Sequence, residues 1–270
     1  MRRPIALIAA LALLAVACGS GEDTTATLPD DGDAIVLQTA YEGGFAPVEF
    51  ILNQMPQHTL YADGRLVSQG PQPAIFPGPM LPSMLQVNIG DAAMADVLAI
   101  VDDIGLPSID DEYNSEASAN VADASDAVAY YYDENGSHRY AVYALGIVEN
   151  TDPQAAAMRT LFDTLDVLAV ESPSAGEYIA DRVQVLATQS FVDENEPGAT
   201  LEPWPLAASP SDLPEVADFG VSCTVLEGDE ATAALAVFAN ADQMTFWDYE
   251  GVSYRILARP LFENEVGCEW

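Results

Sequence analysis

Apolar and polar residues recur along this chain with two different periods, and the switches between those periods predict its elements. A charge-free apolar run, Ile5 to Leu14, comes first. Ala34 to Tyr41 then reads as a strand and Glu42-Gly43-Gly44-Phe45 as a turn. Gln57 to Tyr61 and Arg65 to Gln69 flank Ala62-Asp63-Gly64. An Asp-Gly pair between two such runs is a strong hairpin signal. Pro71, Pro73, Pro77, Pro79 and Pro82 follow. They force an extended crossing with no place in a sheet interior, because proline donates no ladder hydrogen bond. Ile75, Phe76 and Met80 are the residues expected to pin that crossing to the core.

Leu85 to Ile89 reads as a short strand, after which the period lengthens to that of a helix. Met94, Val97, Leu98, Val101 and Ile104 share one helical face, and Asp96, Asp102 and Asp103 lie off it. Asp91 is the expected N-cap and Gly105 the stop. Residues 107–126 are polar, without period, and read as irregular. Val128 to Tyr132 and Arg139 to Leu145 form a second hairpin around Asn135-Gly136. Thr151 or Asp152 caps a second helix whose first turn accommodates Pro153. Its buried stripe is Met158, Leu161, Phe162, Leu165 and Leu168. Tyr178 to Gln189 alternates as a strand. The pattern dissolves over 193–214, where Pro197, Pro203, Pro205, Pro210 and Pro214 fall. It returns as a strand from Val221 to Leu226, a helix capped by Asp229 and running to Asn240, and a third hairpin from Thr245 to Ala258.

Hairpins with helices entering between them predict an α+β fold: an antiparallel sheet built from β-hairpins, with about three helices packed on it. The organisation that follows is a main α+β domain over 34–192, a proline-rich linker over 193–214, and a small α+β C-terminal lobe over 215–270. Cys223 and Cys268 are expected to form a disulfide that staples this lobe, since an even pair of cysteines in an exported chain reads as a bond.

The N-terminal apolar run is too short for a hydrocarbon core that needs roughly 20 residues. Arg2 and Arg3 precede it and Ala15-Val16-Ala17 follow, which is the layout of a secretory signal peptide over residues 1–17. With Cys18 next, this end resembles the lipobox of bacterial lipoproteins; the family's leucine lies one place early, at Leu14. The resemblance implies that Cys18 is lipidated and becomes the mature N-terminus, held at the extracytoplasmic face of the cell membrane. Two or three acyl chains give stable anchoring where one would not. Residues 18–33 read as a flexible acidic tether.

Composition adds one unusual feature. Lysine is absent, and the formal net charge is −35 from eight arginines and 43 acids. Arg2 and Arg3 leave with the signal peptide, so the remainder is more acidic still. Such a surface repels nucleic acid and anionic headgroups, and neither is an expected partner. Divalent cations are expected only as diffuse counterions. Acid-rich, lysine-free surfaces also suit a chain that works in salty surroundings.

The absence of lysine removes Schiff-base, Ser–Lys and Walker-type phosphate-loop chemistry. Only His58 and His138 are available as general bases, no Gly-x-Ser-x-Gly elbow or His-Glu-x-x-His motif occurs, and both histidines read as surface residues. No cofactor and no metal ligand set is expected. Asp30-Asp31-Gly32-Asp33, Asp133-Glu134-Asn135-Gly136 and Asp193-Glu194-Asn195-Glu196 are oxygen-rich, yet none has the spacing of an EF-hand loop. Two aromatic hairpins offer the candidate binding surface, Tyr130, Tyr132 and Tyr140 on one and Trp247 and Tyr249 on the other; packing at the edge of the core is the first reading of the same residues.

The body resembles bacterial lipoproteins with Tyr-Glu-Gly-Gly-Phe near the mature start and Arg-Pro-Leu before a late cysteine, here Tyr41 to Phe45, Arg259 to Leu261 and Cys268. That resemblance lends no activity. The expectation is therefore a membrane-anchored lipoprotein acting as a non-enzymatic binding or structural module, with an envelope protein as its expected partner. The alternatives are a two-carboxylate hydrolase of envelope glycan and a calcium-binding surface protein.

Overall fold

The computed structural model describes residues 26–109, 111–113, 120–149, 151–172, 175–192, 197–216 and 219–268. Cys18, the expected signal peptide and the acidic run 193–196 lie outside these residues. Within them the chain forms four helices and two mixed sheets, an α+β fold.

The first sheet begins with β1 (Ile35–Gly43), followed by a single helical turn, α1 (Val48–Ile51). β2 (His58–Tyr61) and β3 (Arg65–Gln69) make the expected hairpin, and β4 (Met84–Asn88) pairs beside β3. After α2 (Gly90–Ile104) come β5 (Asp111–Tyr113), β6 (Ser125–Asp133) and β7 (Gly136–Tyr143). Then follow α3 (Pro153–Glu171) and the two-residue β8 (Gly176–Glu177). The spatial order is β5-β7-β6-β1-β2-β3-β4-β8, antiparallel except for β5 against β7. A bulge at Ile35 to Leu37 lets Val36 and Leu37 both face the helices, while Ile35 faces away.

The second sheet takes β9 (Arg182–Gln189), β10 (Thr200–Pro203), β11 (Glu215–Val216) and β12 (Val221–Glu227). α4 (Gly228–Phe238), β13 (Thr245–Tyr249) and β14 (Val252–Pro260) complete it. Its order is β10-β13-β14-β9-β12-β11, antiparallel except for β10 against β13. β9 lies in the middle, between β14 and β12. The chain thus passes between sheets at 178–181, upstream of the 193–214 stretch expected to be a linker. That stretch supplies β10 at the edge, where proline forfeits no ladder bond.

α2 and α3 cover one face of the first sheet, burying Met94, Val97, Val101, Ile104, Met158, Leu161 and Leu165 against Val36, Leu60, Leu66 and Val142. The Asp152 carboxylate accepts from the backbone N–H groups of Gln154 and Ala155 at 2.9 and 3.0 Å, the expected cap. Asp91 does not cap α2. Asn88 accepts from Gly90 N–H at 3.0 Å, Gly90 adopts φ +73°, and Asp91 sits within the first turn. Asp229 is likewise in the first turn of α4 rather than at its cap. α4 covers the second sheet through Ala231, Ala234 and Phe238, against Val183, Val185, Trp247 and Ile256.

Two segments fill the space between the uncovered faces. The terminal segment 261–268 sets Phe262 among Ile35, Tyr61, Val67 and Met84. Leu52, just past α1, lies with Leu186, Val221 and Cys223. The terminal segment is held by the Cys223–Cys268 disulfide and by Arg182, which donates to the carbonyls of Phe262, Glu265 and Val266. Asn264 and Gln38 exchange hydrogen bonds at 2.7 and 3.4 Å. Gly267 is required there: it adopts φ +75°, and a Cβ would lie 2.7 Å from Leu261 and Val225.

The proline crossing, residues 70–83, straps the two sheets together. Gly70 N–H donates to Ser83 C=O at its base, Met80 N–H donates to Ala241 C=O, and Gln243 N–H donates to Gly78 C=O. Met80 and Leu81 pack on the second core. Ile75 and Phe76, expected to be pinned inside, remain 66% and 75% exposed. The strap is secured through its backbone, so these side chains are left at its outer bend.

Candidate functional site

The five aromatic residues expected to form a binding surface do not share one. Tyr140 faces the helices and is buried with Tyr131 and Ala129, and Trp247 is buried against Phe238. Tyr130 and Tyr132 lie on the opposite face of the first sheet and stack at 6.4 Å. Their hydroxyls donate to Glu42 at 2.7 Å and to Gln38 at 2.8 Å. Tyr249 sits at the rim of the second sheet, edge-on to Trp204. Alternation along a strand separates residues that sequence places side by side.

Neither histidine serves an accessible nucleophile. His58 is not a surface residue: it opens β2 beneath α3 and is 1% exposed. Its Nδ1 lies 2.8 Å from Thr39 Oγ1, and its Nε2 lies 3.2 Å from Asp166 Oδ1 without hydrogen-bond alignment. This is a hydroxyl–imidazole–carboxylate chain, but Thr39 is fully buried and no substrate reaches it. His138 is half-buried at the β6–β7 hairpin, 3.4 Å from Asp133. Among the described residues, no group of three or more His, Cys, Asp or Glu is placed to hold a metal ion. Asp33, in the first acidic run, is committed to Arg65 at 2.6 Å. Burial, and then Glu112, push the Asp126 carboxyl up from its ordinary range. Asp126 lies on β6, however, and lines neither the cleft between the sheets, nor the apolar cavity beside it, nor the recess at Asp30, Asp133 and Glu134.

A cavity of about 790 Å³ lies between the sheets under the strap. β14 forms one wall through Arg255, Leu257 and Arg259, alternate residues on one face. Loop 44–57 contributes Phe50, Asn53, Gln54, Met55 and Gln57, and the end of β3 adds Gln69. The strap supplies Gln72, Phe76 and Met80, and the turn before β13 supplies Gln243 and Met244. Five of the chain's ten glutamines therefore meet here. None of the twenty lining residues is an acid, although 43 acids in 270 residues would place about three among them.

Several of these carboxamides are pre-set by backbone partners. Gln54 donates to Gly43 C=O at 3.1 Å and Gln69 to Pro56 C=O at 3.3 Å, while Gln243 accepts from Gly78 N–H at 3.3 Å. Each keeps its other polar end uncommitted by that bond. Asn53 Oδ1 and Arg259 Nε are buried with no hydrogen-bond partner. Unmatched buried polar atoms cost of order 1–3 kcal/mol each, and these two lie in residues of the cleft wall. Beyond the strap a second cavity, about 580 Å³, is apolar, lined by prolines with Leu81, Met84, Tyr178, Leu235 and Phe238; Glu177 is its one acid.

The cleft was not legible in the sequence. Its residues come from five separated stretches, and the only local sign is the glutamine content of residues 54–72. No protein-family model, curated protein or solved structure matches the chain. Among the described residues no helix is long and apolar enough to cross a membrane.

Proposed function

We propose that this chain is a lipid-anchored extracytoplasmic protein that binds a small polar ligand in the cleft between its two sheets and performs no chemistry on it. The anchor rests on residues 1–18. The binding role rests on one observation: an acid-free, carboxamide-lined cavity in a chain with 43 acids. Its volume falls within the roughly 300–1,000 Å³ of small-molecule sites. Carboxamides donate and accept without titrating, which suits recognition and offers no acid–base chemistry at neutral pH. The glycan-hydrolase alternative needs two carboxylates flanking the scissile bond. The cleft has none and its apolar neighbour one; a third cavity, of about 520 Å³, is lined by Asp30, Asp133 and Glu134, but there Asp133 accepts from Asn135 N–H at 2.7 Å and lies 3.4 Å from His138. The cleft between the sheets therefore favours binding.

Thermal unfolding against a panel of saccharides, amino acids and organic acids tests the cleft. Leu257→Trp would fill it from the β14 wall. A ligand at one hundred times its Kd stabilises by about 2.7 kcal/mol. At least one compound should raise the wild-type midpoint, and none should raise that of L257W. A panel without effect, or with equal effect on both, overturns the site. For the anchor, Cys18→Ser should release the protein from membranes; retention overturns it.

A further inference from the structure

We propose that the ligand is a carboxylated saccharide, its carboxylate held by Arg255 and its hydroxyls by the cleft carboxamides. This rests on the reading of the cleft as a ligand site and adds the ligand's chemistry.

The charge comes from Arg255. Arg65, Arg139, Arg182 and Arg259 each hold a carboxylate, at 2.6 to 3.2 Å. Arg255 makes no ion pair among the described residues, and neither does Arg159, which is exposed on α3 and does not line the cleft. Arg255 lies half-buried with its guanidinium 5.8 Å from the Phe50 ring centre, at a wall without acids. The nearby acid is Glu49, which shares with Arg255 a separate small pocket of about 80 Å³ beside the cleft. An unpaired guanidinium in so acidic a chain is available to an anion, and its planar fork matches a carboxylate. Arg259 is already neutralised by Glu265 at 2.8 Å, leaving one net positive charge at this wall. One charge suits a monoanionic carboxylate better than a dianionic phosphate. The acidic exterior does not forbid this, because charges farther away than about 8 Å are largely screened at physiological ionic strength.

The saccharide comes from the remaining lining. The cleft carboxamides of Asn53, Gln54, Gln57, Gln69 and Gln243 bring both donors and acceptors to the lining. A hydroxyl both donates and accepts and so matches either end of a carboxamide, whereas a bare anion would match only the N–H ends. Phe76 and Phe50, 75% and 43% exposed, edge the cleft with aromatic surface against which the C–H groups of a sugar would pack.

The experiment is titration calorimetry of the mature protein with a galactose trimer and with the same trimer carrying one galacturonate unit, so that the two probes differ by a single carboxylate. The acidic trimer should bind, and the galactose trimer should bind at least about tenfold more weakly, as expected for loss of one charge-assisted contact. Arg255→Gln should erase that difference while the unfolding midpoint stays unchanged. Glu49→Gln, which removes the competing carboxylate, should strengthen acidic binding. Equal affinity for the two trimers overturns the role of Arg255, and no binding of either overturns the saccharide. If the small-molecule panel finds a different ligand that L257W excludes, this inference falls and the cleft reading stands. If nothing reaches the cleft, both fall.

Discussion

Tyr61, Tyr132 and Tyr178 carry their phenols into the contact between the first sheet and segment 261–268. Tyr61 donates to Glu263 at 2.6 Å, and burial followed by that bond pushes its pKa far up. Burial raises Tyr132 and Tyr178 to about 12, helped by Tyr130 in the first case and by Glu263 in the second. A phenol is neutral when protonated, so a folded pKa above the unfolded value of about 10 gives stability that is complete below pH ~10. That stability is lost as pH climbs towards 12. Urea midpoints should therefore fall across this window, and the double variant Tyr132→Phe, Tyr178→Phe should fall less; equal slopes would remove these phenols as the cause. At this scale the sequence was readable where a contact is local. Asp152 caps and Gly105 stops their helices through bonds spanning two to four residues. Asp91 falls inside the first turn of α2 because Asn88 and the left-handed Gly90 make a competing turn ahead of it. The buried state of His58 depends on α3, about a hundred residues away.

Hairpins and long helices were legible as elements because their periods repeat often enough to be seen. β5, β8, β10 and β11 are two to four residues long and show no period, so 107–126 read as irregular although it contains β5. The terminal segment has no regular structure at all, yet it joins the two sheets. Its disulfide links residues 45 apart, and on the chain-entropy model that closure contributes about 4 kcal/mol. The double variant Cys223→Ala, Cys268→Ala should lose close to that amount in denaturant unfolding and keep its circular dichroism. The clamps from Arg182 and Asn264 remain to hold the fold. A loss below about 1 kcal/mol would show that those clamps alone order the segment.

For the whole molecule, the net charge of −35 means that the folded state works against its own repulsion. Sodium chloride screens that repulsion, with a Debye length of about 10 Å at 0.1 M and 3 Å at 1 M. Unfolding midpoints should accordingly rise with salt, and a flat response between low and high sodium chloride would contradict this account. The charge was plain from composition; its distribution was not. Acids occur throughout the sequence, and only the folded chain reveals a region between the sheets that they avoid.

The sequence by itself determined the class of fold, the hairpins, the three long helices and the cysteine pair, because each follows from period, capping or count within a short stretch. Tertiary structure decided which strands share a sheet, so that β9 left the domain to which its position in the chain assigned it. It also decided which tyrosines are core and where five glutamines and two arginines meet. Those outcomes depend on pairings across long chain separations, where alternation sets which residues share a face but not which partner that face will meet.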